Sequence, residues 1–128
     1  MNLDHPAFAP YRSLIDTLDL ARAIPALDAL NAQAAALCTR NASGLPIRFF
    51  TPDGRLSARD YETHILQTGQ VPTRAGNWHD VLNALVWLRF PRFKAALNAA
   101  HGAAIATETD TQRGRRRDAL TVLHESGV

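Results

Sequence analysis

The chain has 128 residues, of which 46% are hydrophobic and 20% charged, and a formal net charge of +2. That is the profile of one ordinary globular domain, long enough to bury a core. It excludes a membrane-spanning helix, which needs an apolar run of roughly 20 residues, and a disulfide framework, because Cys38 stands alone.

The isoelectric point of 9.2 comes from a small excess of cations and argues little for a nucleic-acid surface. The opening MNLDHPAFAPYRS carries an acid and prolines where a secretion signal has basic and then apolar residues. A cytoplasmic protein is therefore expected, in keeping with a single thiol.

From the N-terminus, PYRSLIDTLDLARA repeats Tyr11, Leu14, Leu18 and Ala21 on one helical face, with Ile15 beside them. The spacing predicts a helix over 10–23. Pro25 suits the first turn of a second helix, whose stripe is Leu27, Leu30, Ala34 and Leu37. The two should form an antiparallel pair, with Cys38 a small apolar filler on the second. RNASGLP at 40–46 has loop composition. IRFF at 47–50 is β-branched and aromatic, and Pro52-Asp53-Gly54 is turn chemistry, so a short strand or hairpin is expected near 47–56.

Ser57 can cap a third helix over 57–68, with Asp60 three residues on and Leu56 and Tyr61 at the positions of a hydrophobic staple. Gly69 should close it in the left-handed conformation. QVPTRAG at 70–76 reads as a connector. The same entry recurs in NWHD: Asn77 should cap a fourth helix over 77–90 and accept from the backbone N–H of residue 79 or 80. Pro91 must break that helix, since inside it the ring would cost about 3 kcal/mol. A fifth helix then places Phe93, Leu97 and Ala100 inward, carries His101 in its last turn and ends at Gly102. TETDTQRGRRRD, within 107–118, is expected to be an exposed loop, and ALTVLHESGV to hold a strand near 119–124.

The fold class is thus mainly α: about five helices with one or two short β-strands, a small α+β element. The last residues stop where a hairpin's second strand would begin, so residues 1–128 are expected to be a single domain with an incomplete fold. An exposed apolar patch near 119–128 and a tendency to self-associate should follow.

Tyr61-Glu62, then TGQVPTR, then NWHDVLNALVWLRFPRFKAALN, then an arginine-rich step and RDALTVLHESG succeed one another in this order. In these features the chain resembles a bacterial family called domain of unknown function 3025. The resemblance covers about half the chain and is most specific in its central block. It implies a longer fold than the one present and brings no activity, cofactor or catalytic residue.

Candidate sites centre on the fourth helix. His79, Asn83 and Trp87, at i, i+4 and i+8, share a face, while Trp78, Val81, Leu82, Leu85 and Leu88 cover another. This polar-aromatic seam is either a groove floor that meets a ligand or protein partner, or a half-buried seam paired to a neighbour. Glu62 or His64 is expected to face His79 across the junction with the third helix, and a Glu62 partner would raise the imidazole's pKa. The alternative is an enzyme with an acid-base or metal-assisted site around Glu62, His79, Asp80 and Asn83.

His79, Asn83 and His101 invite comparison with His-Asn-His nucleases, but a spacing of four from the first to the second leaves no room for the strands such a site needs. Glu62, His64, His79 and Asp80 are possible metal ligands, yet no His-x-x-x-His or Cys-x-x-Cys pair occurs. Neither metal nor cofactor is expected. Arg113, Arg115, Arg116 and Arg117 form a basic run without interleaved aromatics and with Glu108, Asp110 and Asp118 nearby, which argues against nucleic acid. No glycine-rich phosphate loop and no serine or cysteine nucleophile setting is present.

Overall fold

The structure, a computed structural model, describes residues 3–54 and 56–107, with side chains as far as Ala103. It opens with a 3-10 turn at Pro6–Tyr11, capped by His5 Nδ1, which accepts from the Ala7 N–H at 3.0 Å. Helix α1 (Arg12–Thr17) follows. Tyr11, Leu14, Ile15 and Leu18 are buried as expected, but the helix is shorter than 10–23 and Ala21 is exposed.

The cause is a left-handed residue, Asp19, at φ 54°. The Leu20 N–H reaches back to the Ile15 carbonyl at 3.0 Å and the Asp19 N–H to that of Asp16 at 3.3 Å. This is a Schellman ending, and Leu20 is the buried apolar residue that accompanies it.

Helix α2 (Leu27–Ala36) ends in the same way. Cys38 has φ 54°, the Thr39 N–H bonds the Ala34 carbonyl at 3.0 Å, and the Cys38 N–H bonds that of Ala35 at 3.2 Å. Cys38 is therefore an exposed cap residue rather than an apolar filler, and Leu37, beside it, is 51% exposed. Pro25 lies before the first turn, where Ala26 is the N-cap. Leu30 and Ala34 are buried, and α2 packs on strand β1 (Arg48–Phe50) and helix α4 (Trp78–Arg89) instead of pairing with α1.

The expected strand forms as β1, but among the described residues it makes no hairpin and pairs in parallel with β2 (Gln70–Pro72), in the register Arg48↔Gln70, Phe49↔Val71, Phe50↔Pro72. The stretch read as a connector is thus partly strand. Parallel neighbours need a long crossover, and α3 (Ala58–Thr68) supplies it. Ser57 Oγ accepts from the Asp60 N–H at 3.1 Å, and Gly69 ends α3 at φ 75°. A side chain there would fall on the Pro46 carbonyl oxygen.

Side chains occupy both outer edges of this sheet. Asn31 of α2 accepts from the Phe49 N–H at 2.7 Å and donates to its carbonyl at 2.9 Å. On the other side, the Gln70 N–H donates to Thr68 Oγ1 at 3.0 Å. Asn41 ties the preceding loop to α3. Its Oδ1 accepts from the N–H groups of Ser43 and Leu45, and its Nδ2 donates to the Ile65 and Leu66 carbonyls.

Asn77 caps α4, with Oδ1 accepting from the Asp80 N–H at 3.0 Å. Pro91 begins α5 (Pro91–Thr107), and the Phe90 carbonyl accepts the first bond of the new helix from the Lys94 N–H at 3.0 Å. Trp87, Leu85, Ile65, Val71 and Leu30 form the centre of the core.

Helix α5 departs from expectation. It runs through Gly102, and its buried side chains are Lys94, Leu97, Asn98 and His101, while Phe93 is 36% exposed. Gly102 does not end the helix; it lets α5 approach α3, since a Cβ there would lie 2.8 Å from Leu66 Cδ2. The described fold is mainly helical, five α-helices around one small parallel sheet. The expected loop over 107–118, apart from Thr107 at the end of α5, and the expected strand at 119–124 lie outside the described residues, as do the four clustered arginines and the predicted apolar patch.

Candidate functional site

The seam read from α4 does not form one groove. His79 is exposed, Asn83 half-buried and Trp87 completely buried, because the helix dives from the surface into the core over these two turns. Asn83 Nδ2 donates to the Tyr61 hydroxyl at 2.9 Å, so the residue of α3 that meets this face is Tyr61. The hydroxyl's pKa lies well above its ordinary value, first because it is buried and then because the Glu62 and Asp80 carboxylates repel a phenolate.

Asp80 is held from outside. It accepts from the Arg74 backbone N–H at 2.8 Å, from Arg74 Nε at 2.8 Å and from Arg74 Nη2 at 2.9 Å, with His79 Nδ1 at 3.3 Å. Partial burial pushes its carboxyl upward, but the bonds from Arg74 outweigh that and hold it below the usual range. A carboxylate bound in this way orders the connector before α4 and is a poor proton acceptor.

Glu62 faces elsewhere. It is buried in the seam between α3 and α5, where Asn98 Nδ2 donates to its carboxylate at 2.6 Å and to its backbone carbonyl at 2.9 Å. Burial raises the Glu62 pKa, against the Asn98 bond and the Lys94 charge, and pushes the Lys94 pKa down to about 8, against the Glu62 charge. Asn98 Oδ1 finds no donor among the described residues. The expected contact of Glu62 or His64 with His79 is not made; the His64 ring packs against Phe50 at 5.7 Å.

Of the four residues considered for an acid-base site, His79, Asp80 and Asn83 thus belong to the α4 face and Glu62 to the α3–α5 seam. Among the described residues no three His, Cys, Asp or Glu side chains cluster as metal ligands. Reading Phe93, Leu97 and Ala100 as the inner face overlooked Lys94, Asn98 and His101. Their spacing of four and then three does place them on one helical side, but alanines on the other sides left the apolar stripe undefined.

A pocket of 280 Å³ opens at the start of α4, lined by Leu3, Asp4, Leu20, Ala21, Arg22, Ala23 and Trp78. Trp78 is half-buried and lies one position before His79. The Schellman turn at Asp19 directs residues 20–23 to this place. The pocket thus has an aromatic and aliphatic wall; Asp4 and Arg22 are among its lining residues, with exposed side chains that face Arg12 at 3.9 Å and Asp19 at 3.8 Å.

The family model described as protein of unknown function (DUF3025) matches residues 47–128. No curated protein and no solved structure matches the chain. The matched part begins at β1 and holds α3, β2, α4 and α5. It includes Trp78 but not the N-terminal residues that form the rest of the pocket. No helix among the described residues is long and apolar enough to cross a membrane.

Proposed function

The chain belongs to the DUF3025 family, and from that premise we propose that it is a binding domain that takes a compact amphipathic ligand beside α4. The pocket at Trp78 carries this reading. Its volume lies just under the roughly 300–1,000 Å³ of typical ligand sites, which suits a small molecule with an apolar body and polar ends. The indole supplies contact area, and a ligand's polar ends would meet Asp4 and Arg22 in competition with their present neighbours Arg12 and Asp19. An enzyme using Glu62, His79, Asp80 and Asn83 together is the weaker reading, because these groups are committed to different partners in two places.

In this reading the protein is bacterial and works in the cytoplasm, where an exposed free thiol such as Cys38 stays reduced. Its partner is a small molecule or a protein side chain; nucleic acid is not.

The test is protein-observed NMR with a library of small aromatic acids and amines, read on the indole N–H signals of the uniformly labelled protein. Binding should shift the Trp78 signal and leave Trp87, which is fully buried. Trp78→Ala should abolish binding without unfolding the domain. Hits that bind the Trp78→Ala variant equally well, or a library that never moves Trp78, would count against the proposal.

A further inference from the structure

Helix pairs usually meet through apolar side chains, yet the buried face of α5 presents Lys94, Asn98 and His101 beside Leu97, and α3 answers with Glu62. The two helices pack closely, with Gly102 against Leu66. Glu62 and Asn98 are joined by the 2.6 Å bond, and Lys94 lies within electrostatic reach of Glu62. A buried carboxylate and a buried ammonium each lose solvation on closing, and this cost commonly exceeds what their attraction returns.

We infer that the α3–α5 seam is a proton-operated clasp, in which the protonation of Glu62 and Lys94 sets how firmly α5 is held against α3. This is independent of the ligand pocket at Trp78. Among the described residues, the titratable groups of the seam are Tyr61 and Glu62 from α3 and Lys94 and His101 from α5. The charged groups of α4 are held elsewhere: Asp80 by Arg74, and Arg89 by the Pro10 carbonyl and the Phe90 ring.

The direction follows from burial. In the closed seam Lys94 titrates near 8, below its ordinary 10.5. A group lowered in this way contributes stability that is fully present above the ordinary value and is lost as the pH falls through about 8. Glu62 is raised, so its contribution is present in acid and is lost as the pH rises through its raised value. The seam consequently tightens on the alkaline side as Lys94 sheds its proton. A seam held by an ion pair would do the opposite and be firmest when both groups are charged.

Hydrogen exchange of the full chain, corrected for intrinsic rates, reads the opening directly. Opening of α3 and α5 amides should fall on the order of tenfold between pH about 8 and about 9.5, with the α2 amides as internal reference. In Lys94→Met the fall should vanish. Equal falls in both proteins, or opening that increases over this range, would overturn the clasp. Should the variant not fold, 13C NMR of labelled lysine in the wild type decides: a Lys94 midpoint near 8 supports the clasp, and one at or above 10.5 removes it.

Discussion

Asn77 and Asn31 show how far one residue can be read. Asn77 was recognisable as a cap because its partner, Asp80, is three positions away. Asn77→Ala should cost on the order of 1 kcal/mol, measured by urea unfolding. Asn31 looked like a polar position on an apolar helix, and its partner Phe49 is eighteen positions away, so no local pattern could reveal it. Asn31→Ala removes two bonds and leaves a strand N–H and C=O without them, which should cost more, roughly 2–4 kcal/mol. If the two variants prove equally stable, the sheet-edge role of Asn31 is overstated. Cys38 was misjudged because composition speaks of its burial and not of its backbone. Its φ of 54° follows from the helix ending there, and Cys38→Gly should be neutral or slightly stabilising in the same assay, since glycine adopts that conformation freely.

At the scale of elements, capped and broken helices were legible. Ser57, Gly69, Asn77 and Pro91 act where the sequence puts them, because each acts on its own backbone neighbourhood. The pairing of β1 with β2 was not legible: three residues ending in a proline carry no strand periodicity, and the partner lies beyond a whole helix. The inner face of α5 was misread because alanine fits either side. Gly102 offers a check on the packing of α5 against α3. In Gly102→Ala the added methyl meets only the end of a Leu66 side chain, which can turn away, and helix propensity returns up to about 1 kcal/mol, so the melting temperature should hardly move. Gly102→Leu adds more volume than Leu66 can yield and should destabilise by roughly 1–3 kcal/mol. Equal tolerance of both would mean that the helices are not in close contact there.

Over the whole molecule, the mainly helical class with a small strand element followed from composition and periodicity, whereas the second strand of the sheet did not. The candidate site did not, because what joins Glu62 to Asn98 and Asn83 to Tyr61 is tertiary packing. The two tryptophans give a global readout. Trp87 is shielded and Trp78 only half-buried, so acrylamide should quench one population easily and the other poorly. Trp78→Phe should leave only the shielded one, and a residual accessible population would place Trp87 differently.

The parallel strands also set an order of events. Arg48 and Gln70 cannot meet as a local hairpin; the chain between them must first be shortened by coiling into α3. Closure of that long loop costs entropy before any strand bond repays it. The crossover unit should therefore be largely formed at the folding barrier, and Ser57→Ala, which weakens α3, should slow refolding. Asn31→Ala, which acts only once the strands are in place, should instead hasten unfolding and leave the refolding rate nearly unchanged. Stopped-flow chevrons of the two variants separate these outcomes, and a reversed pattern would mean that α2 and β1 assemble first.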